Sequence, residues 1–136
     1  MRIVFMGSAD LSVPPLESLV DDPANDVAAV VTQPDRPRGR GLRRGPNAMA
    51  ARAAGLGIEV LKPADVNVAE SVAALAAPRP DMIVVVAYGQ ILKRPVLDLP
   101  SLGCVNLHAS LLPRYRGAAP IQWAIARGEE ETGVTV

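Results

Sequence analysis

The chain has 136 residues, 49% of them hydrophobic, and a formal net charge of zero. With one Trp, two Tyr and one Phe, a single domain of this size must build its core from aliphatic side chains, and its global charge says nothing about partners. The single cysteine, Cys104, excludes an internal disulfide and a Cys-based metal site, and no apolar stretch approaches the ~18 residues that span a bilayer.

In chain order, the first apolar run is "RIVFM" (2–6), too short for a signal peptide and read as a strand. Pro14 and Pro15 then open a helix whose Leu16, Leu19 and Val20 share one face. "VAAVVT" (27–32) is a second strand. Asn47 caps a helix over "AMAARAA", which stops at Gly55 and Gly57. "IEVL" (58–61) is a third strand, and Val68, Val72, Leu75 and Ala76 form a helical stripe before Pro78. "DMIVVVA" (81–87) is a fourth strand, a short helix follows, and "GCVNLH" (103–108) is a fifth. Pro120 opens a last helix with Ile121, Ala124 and Ile125 expected inward, ending at Gly128. "ETGVTV" (131–136) reads as the start of a sixth strand, as in a piece of a longer polypeptide.

Several of these strands lack polar alternation, the pattern of strands covered on both faces. The alternation of strands and helices predicts an α/β fold: a doubly wound, mainly parallel, Rossmann-like sheet with helices on both faces. Such sheets bind ligands beyond the carboxyl ends of their strands.

Four stretches are candidates for chemistry. The first βα turn, "MGSADLSV", has one glycine and lacks the G-x-G-x-x-G spacing of a dinucleotide site. The stretch Gln33–Pro46 carries Arg36, Arg38, Arg40, Arg43 and Arg44 against the single acid Asp35. Its Pro34, Pro37 and Pro46 and its Gly39, Gly41 and Gly45 rule out a helix or central strand. Arginine forks suit phosphate oxygens, so the stretch is either an arm for a nucleic-acid backbone or a solvated loop. It lacks the interleaved aromatics expected of base stacking, so it is not expected to read sequence. In "AYGQILKRPVL" (87–97), Gly89 allows close backbone approach, and Ile91 and Leu92 could line an apolar slot or simply turn from strand to helix.

The fourth stretch holds the only histidine. Asn106 and His108 stand at i, i+2 on a strand and share a face. A carboxamide can donate to a developing oxyanion, and an imidazole can move a proton near neutral pH. No nucleophile-elbow pattern surrounds Ser110. The pair therefore suits direct attack by a substrate amine on a carbonyl-type carbon. A lone histidine is more often structural; the asparagine partner, the strand end and the following "SLLPRYRG" loop reverse that expectation.

The run "NLHASLLPRYRGAAPIQ" resembles the folate-dependent formyltransferases, with Asn106, His108, Ser110-Leu111-Leu112-Pro113 and Arg114-Tyr115-Arg116-Gly117 in place. "MRIVFMGSADLSVPPLESL", "VTQPDRPRGRG", "DMIVVVAYGQIL" and "GEEETGVTV" extend the resemblance over the whole chain, toward the branch that formylates methionyl-tRNA in translation initiation. The lone cysteine, the lack of a signal peptide and the lack of a membrane-length apolar run predict a cytoplasmic protein; the resemblance implies an enzyme using 10-formyltetrahydrofolate and no metal. Asn106 and His108 would be catalytic. Ser110, Leu111, Leu112 and Pro113 would line the folate site, with Gln90, Ile91 and Leu92 around the pterin. Arg36, Arg38, Arg40, Arg43 and Arg44 would reach the acceptor stem of initiator methionyl-tRNA. Residues 1–136 would be a catalytic domain truncated at its C-terminal end. An aspartate that the family carries after "ETGVT" lies beyond Val136, as would a C-terminal tRNA-binding domain, so the chain alone is expected to be nearly inactive. A sugar-amine formyltransferase, and a non-catalytic folate- or RNA-binding module, are the alternatives.

Overall fold

The computed structural model describes residues 1–35, 37–38, 43–44 and 47–136. They form two compact units, Met1–Val105 and Asn106–Val136. In the first, β1 (Arg2–Gly7), α1 (Val13–Asp21), β2 (Asp26–Val31), α2 (Ala48–Gly55), β5 (Glu59–Leu61), α3 (Ala69–Ala76), β6 (Met82–Val86) and α4 (Arg94–Leu97) follow in the expected alternation, with β7 (Cys104–Leu107) leading out of it. Between β2 and α2, β3 (Pro37–Arg38) and β4 (Arg43–Arg44) pair antiparallel as a separate two-stranded sheet. A structureless loop was expected there, so part of that stretch is a minimal hairpin, still outside the main sheet. Arg36 and Arg40 lie outside the described residues.

The main sheet runs β5-β2-β1-β6-β7. β1 pairs parallel with β2 and with β6, and β2 pairs parallel with β5. Central β1 is completely buried from Ile3 to Met6, which explains its unbroken apolar run: a central parallel strand has no solvent face. Alternation splits it between two cores. Val4 and Met6 join Ala29, Val31 and Ile83 in a cluster with Val66, Leu75, Tyr88 and Val96, the cover supplied by α3, α4 and adjoining loops. Ile3 and Phe5 point to the opposite face, where Leu16, Met49 and Ala53 of α1 and α2 are buried. Full burial is worth roughly 1.5–3 kcal/mol for each such side chain, so β1 is the fold's main apolar anchor.

Local signals were largely correct. Pro14 and Pro15 open α1, and the Asn47 carboxamide caps α2 by accepting from Ala50 N at 2.8 Å. The glycine of the first turn serves packing: a Cβ on Gly7 would lie 2.8 Å from Ser12 Cβ and 2.9 Å from the Phe5 ring.

Two expectations fail in the second unit. Of the face expected inward on α5 (Pro120–Ala126), Ala124 is buried but Ile121 and Ile125 are exposed: the apolar stripe is covered at one position and not along its length. "ETGVTV" forms no strand; Thr135 makes an isolated antiparallel bridge to His108, a single pair being too little for a ladder.

Candidate active site

At the carboxyl edge of the first unit, residues after β1, β2 and β6 are tied together. The Ser8 hydroxyl donates to Tyr88 O at 3.0 Å and accepts from Gln33 N at 3.0 Å. Thr32 Oγ1 donates to Ser8 Oγ, and Gln33 Nε2 to Tyr88 O, each at 3.3 Å. Asn47 Nδ2 donates to Thr32 Oγ1 at 2.8 Å and to Gln33 O at 3.3 Å. The polar groups of the first turn are thus engaged in joining strand ends. Nearby, Lys62 Nζ donates to both oxygens of Asp35, at 2.7 and 2.8 Å.

The loop after β6 is held in shape by two amide side chains. Gln90 Oε1 accepts from Val66 N at 2.8 Å, and its Nε2 donates to Pro63 O and Ala64 O at 3.3 Å. Asn67 Nδ2 donates to Ile91 O at 3.0 Å, and its Oδ1 accepts from Lys93 N at 2.8 Å. The Asn67 side chain therefore brackets Leu92 as a neighbouring strand would. Asp65 anchors that bracket by accepting from Asn67 N at 2.8 Å, which holds its carboxyl below the usual carboxylate range. Leu92 packs on the core cluster, whereas Ile91 is 86% exposed. Of the three residues expected around a pterin, Ile91 is the one that presents an apolar side chain, and Gln90 is occupied with backbone. Asn67, missed in the sequence, carried no signal beyond its residue type. A groove of about 440 Å³ beside α3, lined by Lys62, Pro63, Asp65, Glu70, Ser71 and Leu75 among others, contains none of the expected site residues.

The second unit holds the Asn-x-His pair. Asn106 is exposed on β7 and His108 is half-buried one residue beyond it. His108 exchanges two backbone bonds with Thr135, each 2.9 Å, fixing its main chain. Its Nε2 lies 2.9 Å from Tyr115 O. A carbonyl can only accept, so Nε2 carries the hydrogen, and in the neutral ring the lone pair sits on Nδ1.

The following turn is bonded throughout. Thr135 Oγ1 donates to Ser110 O at 2.8 Å and accepts from Leu112 N at 3.0 Å. Ser110 is fully buried, and its hydroxyl donates to Arg114 O at 2.7 Å; it is a scaffold for the turn, while Leu111 and Leu112 are exposed. Both the Tyr115 hydroxyl and the Arg114 guanidinium donate to Glu129 Oε1. The hydroxyl bond holds the Glu129 carboxyl below its ordinary value, and the same bond pushes the Tyr115 phenol up.

An amide donor and an oriented imidazole at a strand end suit formyl or acyl transfer to an amine, and comparison with known proteins decides the family. The Formyl transferase family matches residues 1–136. The chain belongs to the formyl transferase family. Relatives named methionyl-tRNA formyltransferase are 55% identical in Moorella thermoacetica and 53% identical in Geotalea uraniireducens, each over 99% of this chain and 43% of the relative. The formyl transferase chain thus spans under half the length of these relatives. Its fold also matches the phosphoribosylglycinamide formyltransferase of Bacillus halodurans, with a TM-score of 0.76, 21% identity, 99% of this chain and 70% of that one. Among the described residues, no helix is long and apolar enough to cross a membrane, and no three His, Cys, Asp or Glu side chains gather as metal ligands.

Proposed function

We propose that this chain is the N-terminal part of an enzyme that moves the formyl group of 10-formyltetrahydrofolate onto the amino group of initiator methionyl-tRNA. The names and identity of its relatives support the substrates. The observation that carries the chemistry is His108 Nε2 at 2.9 Å from Tyr115 O, which commits its N–H to that carbonyl and leaves Nδ1 to exchange protons two residues after the exposed Asn106.

In this reading the substrate amine attacks the formyl carbon, a C–N bond forms, and charge gathers on the formyl oxygen. Asn106 Nδ2 donates to that oxygen, a contact worth more in the transition state than in the ground state. His108 Nδ1 takes the proton the amine loses and returns it to N10 of the folate as the N10–C bond breaks. Ile91, Leu111, Leu112 and Pro113 supply apolar surface to the folate; Gln90, Leu92 and Ser110 act by holding those loops. Arg36, Arg38, Arg40, Arg43 and Arg44 neutralise phosphates of the acceptor stem. The remaining length of the relatives would supply the rest of the catalytic domain and a second tRNA-binding domain, and the setting is the cytoplasm, where translation begins.

The test is a chimera in which residues 1–136 replace the matching segment of the Moorella thermoacetica relative. Asn106→Ala should lower kcat by about 10²–10³, as loss of one oxyanion donor does, with folate binding retained. His108→Ala should lower it by roughly 10²–10⁴. Each arginine of the 36–44 set that touches a phosphate should reduce the salt slope of tRNA binding by about 0.7–0.9 when replaced. Full turnover in Asn106→Ala, or formylation of a sugar amine in preference to methionyl-tRNA, would overturn the reading.

A further inference from the structure

The acceptor for His108 Nε2–H is a backbone carbonyl, so the protonation pattern of the imidazole depends on where the main chain of Tyr115 points. That main chain is in an unfavourable place. Tyr115 has φ +54°, a left-handed conformation that costs a non-glycine residue about 1 kcal/mol or more and persists only where the surroundings impose it. Two sets of bonds impose it here. On one side, Ser110 Oγ holds Arg114 O at 2.7 Å and Arg114 N donates to Leu111 O at 3.1 Å. On the other, the Tyr115 hydroxyl is bonded to Glu129, whose carboxylate also receives the Arg114 guanidinium, itself 5.8 Å from the Tyr115 ring centre. Glu129 is anchored in turn: its backbone N donates to Ala124 O at 3.0 Å at the end of α5, and its side chain is only 18% exposed.

We infer that Glu129 is a positioning residue for the His108 imidazole: by gripping the Tyr115 hydroxyl it keeps the Tyr115 carbonyl on Nε2 and so leaves Nδ1 as the proton-exchanging nitrogen. Arg114 balances the carboxylate and lies against the same ring, so the grip is a charged triad closed around one tyrosine. Released from it, the turn at Tyr115 relaxes from φ +54°, the carbonyl leaves the imidazole, and the two neutral forms of the ring interconvert. The catalytic consequence rests on the function proposed above; the positioning itself does not.

His108 is the only histidine in the 136-residue chain, so ¹⁵N-imidazole NMR of the chain reads it without ambiguity. In the unaltered chain a slowly exchanging Nε2–H proton should be visible, with Nδ1 at the shift of an unprotonated nitrogen. Glu129→Ala should lose that proton signal and move both nitrogens toward averaged shifts. Tyr115→Phe, which keeps the ring and removes only the hydroxyl, should do the same, and the double variant should go no further. Glu129→Gln retains an acceptor and should give an intermediate spectrum. An unchanged imidazole spectrum in folded Glu129→Ala overturns the inference. If that variant does not fold, an unchanged spectrum in Tyr115→Phe overturns it and an averaged one supports it. In the chimera, Glu129→Ala should lower kcat roughly ten- to a hundredfold, as small misplacements of reacting groups do, with KM for the folate little changed. A chimera with no formyl transfer at all would overturn the proposed function and leave the NMR result to judge Glu129.

Discussion

Asn47 is the side chain through which the start of α2 is attached to the sheet, and Asn47→Ala separates its two roles. Its Oδ1 caps the helix on Ala50 N at 2.8 Å; truncating such a cap costs about 1 kcal/mol. Its Nδ2 donates to Thr32 Oγ1 at 2.8 Å and less closely, at 3.3 Å, to Gln33 O. Thr32 is fully buried, so the first of these bonds is worth about 1 kcal/mol. The Thr32 hydroxyl still donates to Ser8 after truncation, which spares the larger cost of an orphaned buried donor. The total is about 2–2.5 kcal/mol. An unfolding entropy of roughly 2.1 cal/mol/K per residue gives a chain of 136 residues about 0.29 kcal/mol/K, so Tm should fall by about 7–9 °C. Asn47→Asp keeps the cap and adds a charge that the helix N-terminus favours, but presents an acceptor where Thr32 received a donor. It should lose about half as much. Calorimetry of the three chains checks both values. An Asn47→Ala loss under about 2 °C, or an Asp variant as damaged as the Ala variant, would refute the assignment of energy to these bonds.

Two further substitutions follow from the same reasoning. The Tyr88 hydroxyl is buried with no hydrogen-bond partner among the described residues; Tyr88→Phe should therefore be neutral or stabilising by about 1 kcal/mol, read by denaturant titration. Burial, and then Asp65, push the Tyr88 phenol from 10.0 up to about 12, so the unfolded chain releases this proton first. The Tyr88 contribution should be complete below pH 10 and be lost between pH 10 and about 12; Tyr88→Phe should remove that residue's share of the alkaline fall, leaving the shares of Cys104 and Tyr115, whose thiol and phenol are also raised. An alkaline slope unchanged by Tyr88→Phe counts against it. At the acid end, Glu129 lies below its ordinary 4.5 chiefly through the Tyr115 hydroxyl. Its contribution to stability is complete above that value and is lost as pH falls through the lower, folded one. In a carboxyl-carbon NMR titration, Tyr115→Phe should move the Glu129 midpoint back toward 4.5; an unmoved midpoint would contradict the bond.

The sequence by itself determined what depends on local chemistry and on residue type. The unbroken apolar runs of β1 and β6 declared strands buried on both faces, because a sheet covered on both sides leaves no position for a polar residue. The prolines opening α1 and the cap at Asn47 were legible because a ring without an N–H, or a short amide, suits few other places. The Asn106-x-His108 pair stood out as a candidate because period two on a strand would place both on one face. Tertiary structure alone decided the rest. Gln90 and Ser110 look like ligand contacts by position yet are bonded to backbone brought near by folding. Nothing in its residue type marks Asn67 as the bracket around Leu92. Above all, the nitrogen of His108 that keeps its lone pair is chosen by the carbonyl of Tyr115. Every residue has a carbonyl, so its identity carries no sign of that role; only the path of the chain decides where it points.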